Sequence, residues 1–93
     1  MKYEVVLSNK YRRSVKKLRL SGRFNETRLQ QVINALARGE RLDFKYQDHQ
    51  LAGELEGHRE CHVQPDLLLI YKVERDILIL LLVNVGSHSD LFG

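Results

Sequence analysis

Two apolar runs, Leu67-Leu68-Leu69-Ile70-Tyr71 and Ile77 to Val83, follow each other with little between them except the charged Glu74-Arg75-Asp76. Neither alternates apolar with polar residues, so neither suits a strand with one wet face, and both read as strands covered on both sides. Each falls far short of the ~20 residues a helix needs to span a bilayer. The charged tripeptide reads as a hairpin loop, which sets the two strands side by side and antiparallel. A chain of 93 residues must cover both faces of that pair, which leaves room for one compact domain, residues 1–93. Such a domain buries somewhat over roughly 60% of its unfolded-chain surface, so its core is small.

The covering material is in the first half. A short strand is expected over Tyr3 to Leu7, which is rich in β-formers. Ser8 or Asn9 then caps a helix that presents Tyr11, Ser14, Val15 and Leu18 on one face and ends at Gly22. A second helix runs from Asn25, an N-cap residue, to Gly39, with Leu29, Val32, Ile33, Leu36 and Ala37 as its apolar stripe. Residues 40 to 52 read as an irregular loop. Glu54 to Val63 mixes polar and apolar residues as a half-wet strand does, with bends at Gly53 and Gly57, and Pro65-Asp66 turns into the first apolar run. The expected fold is α+β: a short N-terminal strand, two antiparallel helices, and a curved, mostly antiparallel sheet with the helices on one face.

Charge is divided unevenly. Residues 1–45 carry twelve Lys/Arg against four Asp/Glu, about +8, and residues 46–93 carry three against eight, about −5, within a net +3. The basic half, with Lys16 and Lys17 beside Arg12, Arg13 and Arg19, is a candidate surface for a phosphate backbone or for an acidic partner. The single cysteine, Cys61, permits no intrachain disulfide and suits a reducing cytoplasm. Met1 to Leu7 has no apolar h-region of a signal peptide.

The acidic half holds His49, His62, Asp66 and His88. Imidazoles titrate near roughly pH 6.5, so a group of them exchanges protons at neutral pH without a cofactor. Taken singly, each has a plainer role. His49 is a loop residue, His62 a core histidine, Asp66 a turn former, and His88 part of a capped terminal helix with Phe92 as its anchor. His58, Cys61 and His62 offer zinc-compatible atoms, but adjacent strand residues point to opposite faces and no second cysteine exists, so neither metal nor cofactor is expected.

Three strings belong together: Asp48-His49-Gln50-Leu51, Arg59 to Tyr71, and Gly86-Ser87-His88-Ser89-Asp90-Leu91-Phe92. In order and spacing they resemble the YafQ branch of the RelE/ParE toxin superfamily over essentially the whole chain. The resemblance implies a RelE-like fold and a cytoplasmic toxin of a type II toxin–antitoxin module, an mRNA endoribonuclease that commonly works on the translating 70S ribosome. It implies catalysis by His49, His62, Asp66 and His88, with His49 and Asp66 on the base side, His88 as the acid and His62 orienting or stabilising charge. Phe92 lies near the scissile site, and Arg59 is the candidate cation for the phosphate. Glu60, a further residue implied to contact the substrate, stands where an aspartate is common, and Asn84 where many relatives carry an arginine. The implied partner is a cognate antitoxin, usually of the ribbon-helix-helix DNA-binding type, in a toxin–antitoxin hetero-oligomer; its acidic segment would share the Lys16 and Lys17 surface with RNA. Two alternatives are a ParE-like toxin acting on gyrase by binding, and a degenerate toxin without cleavage, the latter motivated by Asn84.

Overall fold

A computed structural model describes residues 1–93. Ser8 caps the first helix by accepting from the Tyr11 N–H at 3.0 Å, and its hydroxyl donates to the Val83 carbonyl at 2.6 Å. The helix start is thus fastened to the sheet. Helix α1, Asn9–Ser21, ends at Gly22 in a left-handed conformation, φ 75°, and α2, Glu26–Ala37, starts at Asn25, whose side chain accepts from the Arg28 N–H. Arg19 and Glu26 pair across the turn between the helices.

Five strands form one open sheet: β1, Glu4–Leu7; β2, His49–Gln50; β3, Arg59–Gln64; β4, Leu67–Glu74; and β5, Ile79–Gly86. Their order is β1-β5-β4-β3-β2, with β1 parallel to β5 and every other pair antiparallel. A short helix α3, His88–Phe92, follows β5. Tyr11, Val15, Leu29, Val32, Ile33, Leu36 and Ala37 of the helices share one core with Cys61, Val63, Leu69, Tyr71, Leu80, Leu82 and Val85 of the sheet. The helices therefore cover one sheet face, as expected. Leu68 and Ile70 lie outside that core yet are buried, so β4 is covered on both faces. No helix is long and apolar enough to cross a membrane.

Three boundaries differ from expectation. The strand expected from Glu54 starts at Arg59, because Gly53 and Gly57 adopt φ 69° and 89° around a 3₁₀ turn at Gly53–Leu55. The second apolar run joins the sheet at Ile79 rather than Ile77. Glu74 pairs with Ile79, so residues 75–78 form the turn and leave Ile77 and Leu78 exposed. The stretch 40–52 is less irregular than expected: it holds a 3₁₀ turn, Phe44–Tyr46, and the two residues of β2.

Candidate active site

Alternation along β3 decides what meets what. His49 pairs with Glu60, and His62 with Leu68; along an extended strand Glu60 and His62 share one face while Arg59 and Cys61 take the other. On the first face the Glu60 carboxylate lies between two imidazoles, 3.5 Å from His49 Nε2 and 3.8 Å from His62 Nε2. The two ring centroids are 6.4 Å apart. Glu60 is 6% exposed, whereas the His49 and His62 side chains are 50% and 27% exposed. A carboxylate this deep needs a cationic or hydrogen-bonding partner, and either imidazole is placed to supply it when protonated.

The tautomer of His49 follows from its other contact. Nδ1 lies 2.7 Å from the Gln47 carbonyl oxygen, which can only accept, so Nδ1 is assigned as the donor. In the neutral ring this leaves Nε2, the atom facing Glu60, as the proton acceptor. Leu68 and Ile70, buried beside His62 and Glu60 in the register, give this face an apolar floor.

A second group stands beyond the end of β5. The pairing His62 to Leu68 to Gly86 crosses from β3 to β5, two strand spacings, about 10 Å. His88 follows two residues later as the first residue of α3. A reciprocal capping box holds this helix: Ser87 Oγ accepts from the Asp90 N–H at 3.0 Å, and Asp90 accepts from the Ser87 N–H at 3.1 Å. The Ser87 backbone N–H foremost, and then the Ser87 side chain, keep the Asp90 carboxyl below the usual carboxylate range. Gly86 permits the close approach, since a Cβ there would stand 3.1 Å from Asp90 Cβ. Asp66 Oδ1 accepts from the His88 N–H at 3.1 Å, and the His88 ring meets Phe92, centroids 5.2 Å apart.

Expectation and structure differ at two predicted residues. Asp66, expected on the base side with His49, instead sits with His88, because the β3–β4 turn reaches the start of α3. Arg59, expected as the cation for the phosphate, is not gathered with the histidines. Alternation turns it to the opposite face, where Nη2 donates to Asp48 Oδ2 at 3.0 Å and Nε to the same oxygen at 3.3 Å. Asp48 also accepts from the buried Tyr71 hydroxyl. Burial, and then this bond, raise the Tyr71 phenol far above the usual tyrosine range.

Elsewhere, Asn84 Oδ1 accepts from Ser14 Oγ at 2.6 Å and from the Val85 N–H at 2.9 Å. Asn84, Lys17, Leu18, Asp90 and Leu91 line a recess of about 280 Å³ between α1, β5 and α3. Lys17 therefore borders α3, while Lys16 is simply exposed on α1. Asp48, Tyr71 and Gly86 were not singled out from sequence; the signal for the first two is parity, since Asp48 adjoins His49, and Tyr71 is paired with Arg59, the neighbour of Glu60 that faces the other way. No three His, Cys, Asp or Glu side chains gather into a group that would hold a metal ion.

The family model described as the bacterial toxin of type II toxin-antitoxin system, YafQ, matches residues 3–93. The mRNA interferase toxin YafQ of Escherichia coli K12 is 44% identical over 48 residues, 52% of this chain and 50% of that protein, so the chain spans about half the length of the curated relatives it matches. Among solved structures, a metal-bound toxin from Helicobacter pylori is 40% identical with a TM-score of 0.88, covering 97% of this chain and 99% of that one. The E. coli DinJ-YafQ toxin-antitoxin complex is matched at 30% identity with a TM-score of 0.88, over 100% of both chains. On the strength of the family match, which runs through all the strands and helices described above, the chain belongs to the YafQ family of bacterial type II toxin–antitoxin toxins.

Proposed function

We propose that this protein is a cytoplasmic toxin that cuts mRNA, working on the translating ribosome, by attack of a ribose 2′-OH on the adjacent phosphorus. The observation that carries this reading is the presence of two acid/base groups, His49-Glu60-His62 on β2 and β3 and His88 with Asp66 and Phe92 at the start of α3. A phosphodiester seated between them has a base on its 2′-OH side and an acid on its leaving 5′-oxygen side. His49 Nε2 takes the 2′-proton, and an imidazolium there has Glu60 as its ion-pair partner. His62 meets negative charge developing on the phosphate. His88 protonates the departing oxygen, leaving a 2′,3′-cyclic phosphate, and Asp66 holds the His88 backbone in place. Phe92 stacks against a base, a contact worth roughly 1–3 kcal/mol. These steps run on side chains alone, and each positioned acid or base contributes typically about 10²–10⁴-fold.

The partner reading is an acidic antitoxin of ribbon-helix-helix type bound in a hetero-oligomer, and Lys16 and Lys17 on α1 are offered to it and to RNA alike. The DinJ-YafQ complex supports an antitoxin partner by likeness, and no more of that statement. The test is cleavage of a defined mRNA in a translation system by wild type, His88→Ala and a Lys16→Glu/Lys17→Glu double variant. Discrete cuts ending in cyclic phosphate, lost with His88→Ala and weakened by the charge reversal, support the proposal. Toxicity in cells without any cut, unchanged by His88→Ala, overturns it in favour of a toxin that acts by binding, the alternative to which Asn84 points.

A further inference from the structure

We infer that Asp48, Arg59 and Tyr71 form a clamp behind the sheet that positions the His49 imidazole, and that Arg59 is a positioning residue and not the phosphate's cation; the inference rests on the cleavage reading above. Strand β2, which carries His49, has two residues only and lies at the sheet edge. Its pairing with β3 is limited to His49 with Glu60 and Gln50 with Arg59. Just before it, Gln47 takes a left-handed conformation, φ 49°, which favours no side chain. So short an edge pairing, entered through a strained residue, needs another anchor to hold a catalytic ring to the fraction of an ångström that proton transfer requires.

Asp48 is that anchor. Being the neighbour of His49 in extended chain, it faces the opposite way and reaches the core side of the sheet. There its two carboxylate oxygens are engaged by the Arg59 guanidinium, with donors at 3.0 and 3.3 Å, and by the Tyr71 hydroxyl. Tyr71 is 1% exposed and sits in β4, the middle strand of the sheet. The chain of contact runs from the core through Tyr71 to Asp48, across one peptide to His49, and from His49 to Glu60. The charge of Arg59 is thereby matched by Asp48, on the face away from the histidines. A phosphate at the His49 and His62 rings would lie on the far side of the sheet from it.

The test compares Tyr71→Phe, Asp48→Asn, Arg59→Lys, Arg59→Gln and the Asp48→Asn/Arg59→Gln pair with wild type in cleavage of a short RNA, after circular dichroism has shown each folded. A clamp predicts kcat lowered roughly 10- to 100-fold with KM changed less than about twofold. It predicts that the double variant loses no more than its worse single, that Arg59→Lys recovers part of the rate, and that none of these changes matters further once His49 is Ala. The salt dependence of RNA binding stays that of wild type. A phosphate contact predicts the reverse: raised KM, a salt slope reduced by about one for Arg59→Gln, and no effect of Tyr71→Phe. That outcome overturns the inference. Nuclear magnetic resonance of the His49 ring gives a reading independent of activity. If wild type proves not to cut RNA, the cleavage reading fails, while Tyr71→Phe and Asp48→Asn still either broaden and shift the His49 resonances and weaken its contacts to His62, as the clamp requires, or leave them unchanged, which refutes it.

Discussion

Glu60 shows how much one buried charge organises. It was read from sequence as a substrate contact, because nothing local marks a strand glutamate as buried; its register opposite His49 and its place two residues before His62 decide the matter. The histidines themselves were legible, since residue type and spacing survive without coordinates. Their grouping was not, since it depends on which face each takes. Removing both imidazoles strands the carboxylate. We expect His49→Ala/His62→Ala to lose about 1–2 kcal/mol in urea denaturation, well below the 3–5 kcal/mol typical of a fully buried pair because the rings are half open to water. Adding Glu60→Gln should restore most of that loss, and a triple variant no more stable than the double would show that Glu60 carries no uncompensated charge.

Among the elements, α1 and α2 were readable because Ser8, Gly22 and Asn25 do by themselves what caps do. Strand β2 was not. Two residues carry no periodicity, and their partners Arg59 and Glu60 lie beyond a bend. Helix α3 is intermediate: five residues are too few to be stable alone, and what secures them is the Ser87–Asp90 capping box, the Asp66 acceptor and the clearance at Gly86. Ser87→Ala should cost α3 about 1 kcal/mol, seen as faster amide exchange over residues 88–92, and Gly86→Ala should displace the helix through Asp90. The pH dependence has a definite sign. The folded Asp90 carboxyl lies below its unfolded value of about 3.9, so its contribution is full above that value and lost as pH falls through the folded one. Amide exchange in α3 should therefore quicken in acid before the sheet opens, and simultaneous loss of both would contradict this.

At the scale of the molecule, an α+β fold with helices on one face could be read from the two apolar runs and the two helical stripes. The strand order could not. That β1 lies beside β5 leaves no mark in either segment, because the pairing joins residues some 75 positions apart, as the Ser8 to Val83 bond does. The charge asymmetry has a structural counterpart in α1, whose cations line the helix outside the core, while the acid/base groups occupy β2, β3 and the β5–α3 junction.

The placement of β1 also orders the events of folding. The β3-β4-β5 hairpins close over a few residues each, whereas β1 must wait for β5, and closing so long a loop is slow. A chain growing on the ribosome therefore carries Val5, Val6 and Leu7 unpaired through most of its synthesis. In the finished protein the same strand sits at the margin of the sheet with those three residues still about one-third exposed. Pulse-labelling hydrogen exchange during refolding should find the β3 and β4 amides protected before those of β1; equal rates would mean that the long-range pair forms with the nucleus. Until that last strand docks, the edge of β5 is an open template, and the newborn toxin is at its most vulnerable to pairing with the wrong chain.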